Sequence, residues 1–541
     1  MIQGIYSWVD RHILELGREI RLSFLPPLMV YLAAGISGLT SIVGTFFVKD
    51  YLGLSAQFLA ALGFWAGIPW TLKMPLGHLV DLLWRFKAGL VWLGAGLIAA
   101  SLGIMIGLLS HTAFMRRLMA VESWYVLSVL LAPIGYVIQD VVADAMTVEA
   151  VPRVDSDGRP FDEAAKKLMH TTMQTLGRVA VVGGGVLVAL LNISMFHGVE
   201  NLTEADKVHI YVQIYRLALT IPVISVLGVA LGGILKGRQY RHLLKKGFSE
   251  VQAWSMIQVQ VQRPPLNWWI LGGGLAFTLL SLTLGLSRLP FSQEIIFGGS
   301  LGIVLFLMSR LVQALEVSAR RVLVGTALII FVYRSIPTPG PGATWWMIDD
   351  LGFDQYFLSV LSLISSSLAL MGMFLFRRFM AERSIAYVVA FLTIVSTLLS
   401  LPIIGLYYGL HHWTAAHTGG LVDARFIVLV DTALESPLGQ IAMIPMLAWI
   451  ANSAPTNLKA TFFAVMASFT NLALSLSQLG TKYLNQIFTV TREVKDQLTG
   501  AVIVPADYSQ LGHLLITVSV VGLALPLGAI VLAKLSRWHT A

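Results

Sequence analysis

The chain has 541 residues, of which 56% are hydrophobic and only 12% charged. Soluble domains sit near a quarter charged because they must cover themselves with solvated groups, so a soluble enzyme of this length is excluded. A net charge of +8 would raise nucleic-acid binding in a soluble protein, but here the basic residues fall mainly in alternate loops between apolar runs, and no nucleic-acid partner is expected.

Residues 1–22 place Ile2, Ile5, Val9, Ile13 and Leu16 at helical spacing, which predicts an amphipathic helix lying on the membrane surface. Apolar runs of roughly 20 residues, the length that crosses a bilayer, follow. They predict spans over 24–48, 56–80, 88–109, 123–147, 168–193 and 210–235. A basic stretch from Lys236 to Arg263 separates these from spans at 266–286 and 294–314. Further spans are expected at 321–347, 354–377, 385–409, 426–451, 459–485 and 509–534. The total is about 14. Arg85 and Lys87, Arg153 to Lys167, the central basic stretch, Arg320 and Arg321, and Arg377 to Arg383 occupy alternate loops. By the positive-inside rule both termini are cytoplasmic, with the bacterial inner membrane as the expected location.

An internal repeat organises the spans. Thr45-Phe46-Phe47-Val48-Lys49-Asp50-Tyr51-Leu52-Gly53 matches Thr344-Trp345-Trp346-Met347-Ile348-Asp349-Asp350-Leu351-Gly352 at a constant offset. Each copy ends one apolar span and leads into the next. Parallel repeats of six helices are the build of the major facilitator fold. The expected architecture is therefore an all-α polytopic membrane protein with two six-helix bundles and an inserted two-helix hairpin. Its parts are the amphipathic helix 1–22, a bundle over 23–236, the basic loop and hairpin over 237–320, and a bundle over 321–541. Gly77-His78-Leu79-Val80-Asp81, with Arg85 next, reads as a cytoplasmic gate: Gly77 for close helix approach, Asp81 and Arg85 for a charge latch.

Pro69-Trp70-Thr71-Leu72-Lys73 and Asp140-Val141-Val142-Ala143-Asp144 resemble the second-helix motif and the fourth-helix aspartate pair of the folate–biopterin transporter family of the major facilitator superfamily. Pro337-Thr338-Pro339 and Ala460-Thr461-Phe462-Phe463-Ala464 resemble its seventh- and eleventh-helix segments. Two departures stand out: Met74 where the family places proline, and Lys459 where a glutamate is expected. The muropeptide permease family is the nearest rival, through Gln139-Asp140 to Asp144, Glu149 and Pro152.

Ionisable groups inside spans are costly unless paired or facing water, so each is a functional candidate. Asp140 and Asp144 are four apart, hence on one helix face, at a depth similar to Lys73. A Lys73–aspartate pair would serve as a proton-sensitive site, a fixed structural pair or a gate. Arg178 and Arg334 lie near mid-depth, where a planar guanidinium suits a carboxylate or phosphate. Asp431 and Glu435 are candidate partners for Arg334, or a proton-coupling site. The histidines show no metal spacing, and no nucleophile–base set or ATP-binding motif is present. The expected function is secondary transport of a small folate- or pterin-like organic anion, proton-coupled, by a monomer without cofactor. A muropeptide or other solute permease is the alternative; a lipid flippase or a non-transporting membrane sensor is the alternative of another class.

Overall fold

The computed structural model describes residues 20–536 apart from 53, 84–85, 153, 155–158, 160, 258–265, 287–288, 314–315, 377–378, 380–382, 440–458 and 496–501. Most of the amphipathic stretch 1–22, Arg85, and the far end of the span expected at 426–451 thus lie outside the described residues.

Helices dominate. α1 (Leu25–Gly35) and α2 (Ser41–Tyr51) join through a tighter 3-10 turn at Ile36–Thr40. α3 (Ala56–Thr71), α4 (Lys73–Leu82), α5 (Lys87–Ser110), α6 (Thr112–Leu118), α7 (Val121–Ala150) and α8 (Glu163–Met195) follow. Next come α9 (Glu204–Ala218), α10 (Thr220–Lys245), α11 (Glu250–Ile257), α12 (Trp268–Leu286) and α13 (Ser292–Val312). The chain continues through α14 (Val317–Arg334), α15 (Pro341–Asp349), α16 (Gln355–Leu375), α17 (Ile385–Tyr407), α18 (Leu410–His417) and α19 (Ala424–Glu435). It closes with α20 (Lys459–Ile487) and α21 (Leu511–Leu535). A short antiparallel ribbon, β1 (Val494–Lys495) with β2 (Val502–Val504), is a small departure from the all-α expectation. Ser55, Thr203, Asp354, Ser384 and Asp423 cap their helices by accepting a first-turn backbone N–H, as short polar side chains do.

Among the described residues, 10 helical segments are long and apolar enough to cross a membrane. Of the four expected spans that this count lacks, 426–451 runs past the described residues, 459–485 forms one unbroken helix, α20, and the other two are broken for physical reasons. The span expected at 56–80 breaks at Leu72, after Pro69 has removed a backbone donor. The carbonyl of Trp70, next to that break, accepts the Asn471 side-chain amide of α20 at 3.1 Å. The span expected at 321–347 breaks between Arg334 and Pro341, around Pro337 and Pro339. In hydrocarbon no water can satisfy such a break, so neighbouring side chains must. Ser477 Oγ donates to the Ile336 carbonyl at 2.6 Å, and Asn485 Nδ2 to that of Pro339 at 3.2 Å. The Thr338 N–H donates to Thr481 Oγ1 at 2.9 Å. Ser477, Thr481 and Asn485 recur every fourth residue, so they form one polar stripe on α20. Gly340 closes the break at φ +78°, where an added Cβ would also meet Asn485 Nδ2 at 3.0 Å.

Packing is extensive between α3 and α20, and between α8 and α16. Close crossing of α1 with α8 needs Gly35 against Gly184, since a Cβ at Gly184 would lie 2.7 Å from the Gly35 backbone. Only a glycine pair permits that approach. The largest apolar cluster joins Phe46, Phe47 and Tyr211 to Trp345, Trp346 and Leu511 at one end of the molecule. Smaller buried clusters lie apart from it, and one of them again joins α3 to α20 through Phe64, Ile68 and Leu479. Val80, Val91, Val141 and Met146 pack together, while Leu323, Ile330, Met466 and Phe469 pack elsewhere with Val304 and Leu307 of the hairpin.

Candidate functional site

The break in the second span fixes the position of Lys73, which is the first residue of α4 after the Leu72 junction. Its ammonium lies 2.6 Å from Asp140 Oδ2 and 2.7 Å from Asp144 Oδ2. Both aspartates project from one face of α7, as their spacing requires. The Tyr31 hydroxyl of α1 donates to the other oxygen of Asp144 at 2.6 Å. Arg178 of α8 is near enough to act electrostatically on Asp140 and on Tyr31. Five side chains from four spans therefore converge, and with both aspartates ionised their charges sum to zero.

Depth counting along the helices anticipated Lys73 with the aspartates, and the structure makes it one ammonium bridging both. Arg178, expected as a separate anchor, belongs to the same cluster. Tyr31 went unread, because a tyrosine in an apolar helix carries no charge signal.

The remaining candidates lie outside this cluster. Arg334 ends α14 at the break, beside Tyr333, on which Glu435 of α19 acts electrostatically. Asp431, one turn before Glu435, is 7% exposed, and its Oδ1 has no hydrogen-bond partner among the described residues. Among those residues no group of three or more His, Asp or Glu is arranged to hold a metal.

The expected gate is only partly described. Arg85 lies outside the described residues, and the side chain of Asp81 is likewise not described. At Gly77 no heavy atom of the described residues would lie within 4 Å of an added Cβ. Close helix approach is seen at Gly35 and Gly184.

The repeat motif itself builds a further site. Lys49 of the first copy pairs with Asp349 of the second at 2.6 Å, and Asp349 also accepts the Tyr508 hydroxyl at 2.6 Å. Arg492 lies over the Trp345 ring, 5.1 Å from its centroid. Trp345 and Trp346 are buried in the core. Arg310 lies over Trp269 at the end of the hairpin, its cation held beside an aromatic ring.

Comparison with known proteins places this geometry. The chain is 24% identical over 492 residues to a folate-biopterin transporter of Synechocystis sp. (strain ATCC 27184 / PCC 6803 / Kazusa), which covers 90% of this chain and 80% of that protein. A crystal structure of an auto-inhibited POT family peptide transporter covers 97% of this chain and 98% of its own, with a TM-score of 0.58 at 13% identity. A nucleoside transporter structure gives a TM-score of 0.54 at 12% identity, covering 94% of this chain and 99% of its own. At such identities the structural likeness speaks for the fold alone, which is major facilitator-like. The BT1 family model matches residues 34–537. With that match over nearly the whole length, the chain belongs to the BT1 family and is a multi-pass membrane transporter of the folate–biopterin kind.

Proposed function

We propose that this transporter carries a small organic anion of folate or pterin type, coupled to protons, by alternating access. The observation that carries the reading is the single Lys73 ammonium bridging Asp140 and Asp144. With both carboxylates ionised, Lys73, Arg178 and the aspartates balance. Protonating one aspartate leaves a net positive charge and frees a donor of Lys73, which an entering carboxylate can take. Binding of anion and proton then favour each other, the linkage a symporter needs. The planar fork of Arg178 suits a carboxylate held by two oxygens.

In this reading the moving parts are two six-helix bundles, 23–236 and 321–541, with the segment 237–320 between them. The α3–α20 and α8–α16 contacts are the seams along which they rock, and the apolar cluster of Phe46, Phe47, Trp345 and Trp346 joins both parts. The Lys49–Asp349 end is taken as the outer one and both termini as cytoplasmic, in a bacterial inner membrane, following the basic loops. Asp431 and Glu435 supply a second proton-responsive position, and the protein works as a monomer.

Uptake of labelled folate, pterin and muropeptide into proteoliposomes at imposed pH gradients tests the reading. Gradient-driven accumulation of folate or pterin, abolished by Lys73→Ala in folded protein, is expected. Normal uptake by Lys73→Ala would sink the assignment, and accumulation of muropeptide alone would move the substrate to the rival class.

A further inference from the structure

The hairpin of α12 and α13 is not used by the mechanism above, yet it is fastened more firmly than a peripheral insertion requires. We infer that it is a clamp across the α3–α20 seam, with its Gln293–Glu294 corner as the fastening and Glu294 and Lys482 as positioning residues.

The corner holds both sides at once. Gln293 Nε2 donates to the Ala61 carbonyl of α3 at 3.0 Å, while its Oε1 accepts Lys482 Nζ of α20 at 3.1 Å. Glu294 pairs with the same Lys482 at 2.7 Å and accepts the Tyr483 hydroxyl at 2.5 Å. Gln293 is 7% exposed, so its amide is committed to these partners. The backbone supports the corner: Phe291, just before it, adopts φ +60°, a left-handed conformation that a bulky residue rarely tolerates. Such strain persists only where surrounding contacts over-determine it.

The hairpin follows α3 and α4 along their length. At its start the Asn267 N–H donates to His78 Nε2 at 3.2 Å, and Gly274 lies against Pro75. Further on, Gly285 lies against Trp65. Apolar packing repeats the bridging pattern, since Phe277 and Ile296 of the hairpin share one buried cluster with Phe64 and Ile68 of α3 and Leu479 of α20. An element tied to both walls of a seam limits how far they part, and ionic ties near lipid are weakly screened.

The clamp rests on the two-bundle reading, but its test needs no transport. The chain has no cysteine, so Ser475→Cys introduces a single thiol. Ser475 is 1% exposed on the seam face of α20, opposite Gly67. In purified full-length protein without substrate, we expect slow labelling of this thiol by a membrane-impermeant maleimide. Adding Glu294→Gln or Lys482→Met should raise the rate about tenfold, because labelling follows the open population. The exchange Glu294→Lys with Lys482→Glu should restore slow labelling, and the milder Tyr483→Phe should give an intermediate rate. Unchanged labelling in Glu294→Gln and Tyr483→Phe would overturn the clamp, as would failure of the charge exchange to restore protection. Failure of uptake in the wild-type protein would instead remove the transport reading and leave the clamp standing on its own assay.

Discussion

The Lys49 ammonium lies 2.6 Å from the Asp349 carboxylate, so the two copies of the repeat meet at their own ends. Both side chains are partly buried, 16% and 25% exposed, which places the pair between a surface contact and a core one. Asp349→Asn is expected to cost about 1–2 kcal/mol, and Lys49→Met somewhat less, because the asparagine also weakens the Tyr508 contact. Apparent melting midpoints of both variants and of the double variant would measure the coupling. Additive losses would show that the pair contributes nothing jointly.

Tyr508 gives the same end a pH dependence. Burial, and then its bond to Asp349, hold the phenol protonated well above its usual range. Below about pH 10 the phenol is neutral folded and unfolded, so it adds no slope to stability. Above that value the unfolded chain ionises first, and stability falls as pH rises. Thermal denaturation from pH 8 to 11 should show this alkaline loss, and Tyr508→Phe should flatten it.

Tyr31→Phe deletes one oxygen and leaves the helix intact. Its bond to Asp144 is short, at 2.6 Å. Bonds to charged acceptors contribute about 1.5–3 kcal/mol, so initial uptake should drop roughly tenfold or more with folded protein preserved. Equal uptake by wild type and variant would remove Tyr31 from the site.

Arg178 and Arg334 are separated by their surroundings, since Arg178 shares the Lys73 cluster and Arg334 does not. Arg178→Ala should weaken equilibrium binding of a labelled anionic ligand at least about tenfold, with Arg334→Ala weaker in effect. Unchanged affinity in Arg178→Ala would exclude it from substrate contact.

The break between α14 and α15 predicts a stability phenotype. Ser477→Ala removes a partner of the Ile336 carbonyl, an expected loss of about 1–3 kcal/mol. Gly340→Ala adds a steric cost at φ +78° and a contact with Asn485. Both variants should melt earlier than wild type, and Gly340→Ala should be the worse. A midpoint unchanged in either would show that the break relaxes freely.

What was legible in the sequence follows from what each signal depends on. Helical rise is fixed, so counting along two spans put Lys73 level with Asp140 and Asp144. The repeat likewise paired residues 45–53 with 344–352. Tyr31 could not be read, because its role depends on which helix crosses α7, and crossing is tertiary. Pro337 and Pro339 were visible, but the span at 321–347 read as continuous because apolar residues flank the break. The ladder Ser477, Thr481, Asn485 was the missing cue: polar residues at every fourth position of an apolar helix need something to bind.

The polar ladder on α20 has a consequence for how this sequence can vary. One stripe serves the broken segment before α15, while Asn471 and Lys482 serve α3 and the hairpin. These duties are indexed by a single helical phase. Inserting one residue near Leu476 would rotate everything downstream by about 100° and present the wrong side chain to two neighbours at once. Length changes inside α20 should therefore be far less tolerated than equal changes in the loop after it, whatever amino acid is added.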